Sequence, residues 1–329
     1  MNWGCSSFLI KGLDGNHRRI SRQLAEYLRY KRSLGYLLTN DETVLNSFVR
    51  HALHLGYDGP LTRDIALSWI CNSKAATNKS RGRRLEVLAP FAKFVASFDS
   101  EAEILPGRMF GNPHLRTVPY IYTEGEALRL MAECKTLYSA DGLRPLAVAT
   151  AIGLLWSTGL RTSELTNLRI KDVDLHENLL YIWASKFKKD RIVPISESAS
   201  AELSQYKKMI EGRMGTRHGD EPFFVTDRGK PLTSRSLAYA FKLIRDCIGA
   251  EPMGHPVVRL MDFRHSFACR TIMEWLQSGK DVNANILQLS TYLGHSKVED
   301  TYWYLSAPPQ MLGLIGSLYE SEFGGGCDE

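Results

Sequence analysis

The chain has 329 residues, 41 Lys plus Arg against 36 Asp plus Glu, and 44% hydrophobic residues. That length suits about two domains with a core each, and an ordinary apolar content with 23% charged residues excludes a mostly disordered chain. No apolar run approaches the roughly 18 residues of a membrane span, and the first twenty residues hold too short an apolar stretch for a secretory signal, so a cytoplasmic location is expected.

The net charge of +5 is unevenly spread. Residues 1–120 hold 17 basic and 10 acidic residues, residues 121–305 hold 24 and 22, and the remainder four acids and no base. Two clusters carry the excess of the first part. One is Arg18, Arg19, Arg22, Arg29, Lys31 and Arg32 on a helical pattern; the other is KAATNKSRGRR, with Lys74, Lys79, Arg81, Arg83 and Arg84. A polyanion partner explains both, since each cation set on a phosphate releases counterions. A solvated helix face explains either one alone.

In chain order, residues 17–98 read as helices only. Leu24, Tyr27 and Leu28 recur at helical spacing, then Val44, Leu45, Phe48, Val49 and Leu53, with Asn40 or Asp41 as N-cap and Gly56 as stop. A short helix near Ile65–Cys71 and a longer one over Leu85–Phe98 complete a small bundle. Residues 106–119, with Pro106, Gly107, Gly111, Pro113 and Pro119, read as a linker. Helices are then expected at Glu124–Tyr138 and Leu146–Trp156, followed by LLYIWAS and RIVPI as strands of a hairpin around KFKKD. Further helices are expected at Ser198–Glu211, Ser234–Ile248, Arg259–Leu276 and Val282–Leu293. The expected fold is mainly α with a small antiparallel β-sheet: a helical bundle over 1–105, the linker, and an α+β domain over 120–308. In the tail, 309–329, Met311, Leu314, Ile315 and Leu318 share one helical face, which suits docking on a neighbouring copy or on its own domain.

Common nucleotide and hydrolase signatures are absent: no GxxxxGK[ST], GxSxG, HExxH, or GxGxxG after a strand. Six dispersed cysteines with no CxxC pair suggest neither a zinc site nor a disulfide framework. What stands out is a set of phosphate-seeking and proton-handling residues at segment ends. In STGLRTSEL, Arg161 opens a helix against the macrodipole and needs an acid such as Glu164, unless its fork faces a phosphate. SKFKKDR offers Lys186, Lys188, Lys189 and Arg191 on a hairpin, either solvated or reaching an anion. In LMDFRHSFACR, Arg264 and His265 lie among apolar residues, and a buried Arg needs an anion, from Asp262, Glu164 or a ligand. YLGHSKVEDTYWYL places His295 after Gly294 and ends on Tyr302 and Tyr304.

Singly these are weak signals, but their order and spacing resemble the tyrosine recombinase (phage integrase) family. Its motifs run TGLR…EL, a hairpin Lys before R-x-VP, HxLRH, and LGH with the nucleophilic Tyr nine residues on. This chain has TGLRTSEL, SKFKKDRIVPI, MDFRH and LGHSKVEDTYWY, with nine residues from His295 to Tyr304. The resemblance covers roughly residues 120–305, and the basic bundle looks like the family's core-binding domain by layout and charge.

The resemblance implies that Tyr304 attacks the scissile phosphate to form a 3′-phosphotyrosyl link. By the same resemblance Arg161 and Arg264 clamp the non-bridging oxygens, Lys186 protonates the departing 5′-oxygen and His295 hydrogen-bonds the phosphate. His265, Glu164 and Met261 would support the site, and Arg18, Arg19, Arg22, Lys74, Lys79, Arg81, Arg83, Arg84, Lys188 and Lys189 would meet DNA. No cofactor and no metal are implied. The implied partners are double-stranded DNA and further copies of the chain, as a tetramer on two sites, with sister recombinases or accessory proteins possible; the setting is the nucleoid.

One departure is Met261, where the family usually has His. A thioether is a weak acceptor that carries no proton at neutral pH. Cleavage is then slowed rather than abolished, or His255 or Asp262 substitutes, since a general base contributes about 10²–10⁴-fold. Two other functions fit the motifs: a type IB topoisomerase, or a DNA-binding relative with weakened catalysis. Neutralising Lys79, Arg81, Arg83 and Arg84 together is expected to weaken DNA binding and flatten its salt dependence, by about 0.9 log units of slope for each phosphate no longer neutralised. A titration of affinity against salt checks this; an unchanged slope assigns the cluster to a solvated face.

Overall fold

The computed structural model describes residues 19–72, 77–114, 119–183, 190–249 and 258–305. Arg18, Lys74, Lys186, Lys188, Lys189, His255 and the helix expected within 309–329 lie outside them. The chain forms two compact units, Met1–Arg116 and Thr117–Glu329. Among the described residues no helix is long and apolar enough to cross a membrane.

The first unit packs α1 (Arg19–Ser33), α2 (Thr39–His54), α3 (Arg63–Cys71) and α4 (Asn78–Ala96). Leu24, Phe48, Ile70, Leu88 and Phe91 meet at its centre. Two expectations are corrected here. Helix α2 begins at Thr39 after Leu38, so neither Asn40 nor Asp41 caps it; Asp41 and Glu42 instead sit in the first turn, where carboxylates meet the positive end of the helix dipole. Helix α4 begins seven residues before Leu85, capped by Thr77, whose side chain accepts from the Ser80 amide.

The basic cluster therefore lies on the opening turns of α4, with Lys79 and Arg83 exposed. Arg22 is exposed on α1. Several cations pair inside the unit. Arg19 pairs with Asp99 and Glu101, both at 2.7 Å. Arg84 donates to the Trp69 and Ile70 carbonyls at the end of α3 and lies over the Trp69 ring. Arg81 reaches Asn78.

In the second unit, α5 (Glu124–Glu133) starts with a reciprocal Thr123–Glu126 cap and ends in a 3-10 turn. Helix α6 (Leu143–Thr158) is the central element, packed by α5, α8 (Glu197–Met214) and α10 (Met261–Gln277). A short α7 (Thr162–Thr166) follows α6. Next come β1 (Val173–Asp174), β2 (Leu179–Ile182) and β3 (Arg191–Pro194), an antiparallel sheet in the order β1-β2-β3. Strand β1 is not foreseen by the sequence pattern, because two residues cannot show a period. In β2, Leu180 and Ile182 face the core while Tyr181 and Trp183 stack on the other face. Helix α9 (Ser234–Ile244) also packs on α6.

Helices α10, α11 (Val282–Leu293) and α12 (Glu299–Tyr302) close the unit around Cys269, Ile272, Leu289 and Leu293, with Tyr304 in a 3-10 turn after α12. The cysteines among the described residues are free thiols.

Candidate active site

Helix α6 ends at Gly159, whose φ of 62° turns the chain sharply. A Cβ there would stand 2.7 Å from the Phe267 ring, so glycine is needed both for the turn and for the approach of α10. The turn delivers Arg161 to the start of α7 in extended backbone. Its amide and Nη1 donate to the two oxygens of Glu164 at 2.9 and 2.7 Å, and Nη2 donates to the Gly294 carbonyl at 3.0 Å. The acid that the sequence asks for at Arg161 is therefore Glu164.

Glu164 has a second partner. Arg191, the first residue of β3, donates Nη1 and Nη2 to its oxygens at 2.9 and 2.8 Å, and Nε to the Tyr292 carbonyl at 2.7 Å. Burial pushes the Glu164 carboxyl up, but the hydrogen bonds and charge of Arg191, then the bonds from Arg161, outweigh it and hold the group at about 2.

Arg264 is 3% exposed on the first turn of α10. Neither expected carboxylate bonds it. Asp262 lies two residues away on another face of the helix and is held by Arg259 at 2.8 Å, while Glu164 is taken by Arg161 and Arg191. Arg264 instead donates Nη1 to the Gly159 carbonyl at 3.0 Å and Nη2 to the Leu293 carbonyl at 2.5 Å. Burial lowers its pKa to about 10, with Arg161 adding and Tyr304 and Glu164 opposing, so it stays charged at neutral pH. This buried cation has carbonyl dipoles for hydrogen-bond partners.

Helix α11 ends at Gly294 with φ 68°, and His295 follows. The His295 Nδ1 lies 2.7 Å from the hydroxyl of the buried Thr301, which fixes the ring. Tyr304 is 3% exposed, its ring 6.0 Å from His295 and 5.5 Å from His265. Burial pushes the phenol up, and Arg264 pulls it back by its charge and a hydrogen bond; the net shift is upward, so the hydroxyl keeps its proton at neutral pH. Tyr302 is 41% exposed and turns toward Asn283 on α11.

Arg161, Glu164, Arg264, His265, His295 and Tyr304 are thus gathered at one place. Met261 is 42% exposed at the first position of α10. Asp262 is buried and held by Arg259. Among the described residues no group of three His, Cys, Asp or Glu could hold a metal ion. Arg191 belongs to this place as well, although by sequence it reads as part of a basic hairpin tip. The usable sign is its place in R-I-V-P, on a strand rather than in the turn.

The phage integrase family model matches residues 121–311. A putative integrase/recombinase of Sinorhizobium fredii, y4rE, is 32% identical over 90% of this chain and 94% of its own length. The tyrosine recombinase XerA of Thermococcus kodakarensis is 31% identical over 78% and 81% respectively. Among solved structures, the Tn1549 transposon integrase with circular intermediate DNA superposes at a TM-score of 0.60 and 17% identity, covering 87% of this chain and 94% of that one.

Glu164→Gln keeps the shape but leaves two half-buried guanidinium groups without their carboxylate. A loss of about 3–5 kcal/mol is expected, as for breaking other buried pairs, and urea unfolding measures it. The carboxyl is depressed on folding, so its stabilisation is complete above its ordinary value of 4.5 and drains away as pH falls toward about 2. Thermal unfolding between pH 6 and pH 2 is expected to show a shallower acid decline in Glu164→Gln than in the parent.

Proposed function

The chain belongs to the phage integrase family of tyrosine recombinases, and from that premise we propose a site-specific DNA recombinase, the integrase or transposase of a mobile element, with Tyr304 as nucleophile. The observation that carries the assignment is Arg264: a buried, charged guanidinium bonded to carbonyls, beside a tyrosine hydroxyl. A phosphodiester in that place would supply what the site lacks, an anion shared by Arg161 and Arg264.

Phosphoryl transfer depends mostly on positioning and charge neutralisation, which two guanidinium forks supply. In the proposed step the Tyr304 oxygen bonds to phosphorus as the bond to the 5′-oxygen breaks. The phenolic proton passes to water, and Lys186 gives a proton to the departing oxygen and regains one from water. His295, oriented by Thr301, hydrogen-bonds the phosphate. Attack by a 5′-hydroxyl from a second strand reverses the step and regenerates the phenol without an external energy source.

Double-stranded DNA is the substrate in this reading, and the exposed Arg22, Lys79 and Arg83 of the first unit are its contacts there. A tetramer on two sites, joined by sister recombinases or accessory proteins, in the cytoplasm on the nucleoid, completes the reading. It draws support from relatives named as recombinases and from a structural neighbour solved with DNA.

The test uses nicked, end-labelled duplexes tiling the DNA on either side of the protein's own gene. The parent chain and Tyr302→Phe are expected to form a detergent-stable protein–DNA adduct, and Tyr304→Phe none. An adduct persisting in Tyr304→Phe, or lost only in Tyr302→Phe, refutes the assignment.

A further inference from the structure

We propose that Arg191 is a positioning residue of this active site, tying the start of β3 to both Arg161 and the His295 turn. The proposal rests on the recombinase reading for its consequences, but its geometry stands apart from that reading.

Three observations converge on this side chain. All three of its nitrogens are engaged, two on Glu164 of α7 and one on the Tyr292 carbonyl of α11. It therefore binds two segments that are otherwise linked here through Arg161, which shares Glu164 and donates to Gly294. The guanidinium also lies against Gly294. A Cβ at that position would stand 2.8 Å from Nη1, 3.0 Å from Cζ and 3.2 Å from Nε, so the residue before His295 is shaped around Arg191. Last, Arg191 pairs with Ile182 at the root of the β2–β3 hairpin, whose connection carries Lys186.

The chemistry of the pairing gives Arg191 an effect on Arg161. Glu164 holds Arg161 in place, yet a carboxylate bonded to one guanidinium alone would draw that charge away from a phosphate. A second fork on the same two oxygens shares the negative charge and leaves Arg161 positioned with its charge available. Lysine cannot replace this fork, because its donors diverge from one atom and cannot meet two carboxylate oxygens and a carbonyl in one plane. A charge kept without the fork should therefore fail.

Arg191→Lys is accordingly expected to lower single-turnover cleavage of the duplex that the parent cleaves by about 10²-fold, the cost of a misplacement near 1 Å, with DNA affinity held within twofold. The acid limb of cleavage against pH should also move up by at least one unit. Glu164 loses the paired hydrogen bonds of the Arg191 fork, so burial raises its carboxyl again; the ammonium introduced at 191, Arg161 on α7 and Arg264 on α10 are the charges still facing it. Gly294→Ala, which displaces the guanidinium without touching its charge, should reproduce the rate loss if Arg191→Lys does not fold. Lys208→Met, an exposed change on α8, should leave every readout unchanged.

A second measurement needs no DNA. The broadening of the ⁵¹V resonance of orthovanadate by the full chain should fall several-fold in Arg191→Lys. Absence of any adduct with the parent would sink the recombinase reading and leave the vanadate comparison to decide this one. Parent-like cleavage with parent-like vanadate broadening in Arg191→Lys, or equal broadening where no cleavage occurs, overturns the positioning role.

Discussion

Three consecutive backbone carbonyls at the end of α11 each accept a hydrogen bond from a different arginine. Tyr292 receives Arg191, Leu293 receives Arg264 and Gly294 receives Arg161. A helix leaves its last carbonyls without partners and concentrates negative partial charge there. In this protein that end is used to gather cations from a strand, from a second helix and from the turn after α6. The arrangement fixes three segments distant in sequence, and Gly294, with its positive φ and no side chain, makes room for it.

The charge balance of this knot explains the chemistry. Glu164 is the one carboxylate bonded to these arginines among the described residues, and Arg161 and Arg191 divide it. Arg264 receives dipoles instead of a countercharge, at nearly complete burial. Such a site holds an excess of positive charge that carbonyls compensate only in part, and it faces the hydroxyl of Tyr304. Burial keeps that phenol protonated at neutral pH. In the proposed reaction an incoming phosphate would both satisfy the guanidinium groups and bring the electrophile to the tyrosine.

Much of this is legible in the sequence because it is contiguous there. Gly159 to Leu165 and Gly294 to Tyr304 are short segments whose internal spacing survives folding and matches the family's motifs, so the resemblance names Arg161, Glu164, His295 and Tyr304 together. Partnerships across segments are less legible. Arg191 sits 27 residues from Glu164 and among lysines of like sign, so it blends into a basic hairpin. Asp262 looks like a partner for Arg264 by proximity, but residues two apart on a helix point to different faces, and Arg259, three residues before it, is within reach. The early start of α4 is hidden because basic residues oppose the dipole at a helix N-terminus; the Thr77 cap and the burial of Gly82 and Leu85 carry the helix through them. Strand β1 is too short to show any alternation.

The central claim is that the surplus charge of Arg161 and Arg264 at the end of α11 forms a preorganised oxyanion site for Tyr304. It is tested most directly by a crystal structure of the full chain grown with tungstate. The account predicts one tetrahedral oxyanion within hydrogen-bond distance of both Arg161 and Arg264 and next to the Tyr304 hydroxyl, with the Glu164–Arg191 pair intact. Tungstate bound elsewhere with this place empty at saturating concentration, or Arg264 turned away to pair with a carboxylate, would contradict it.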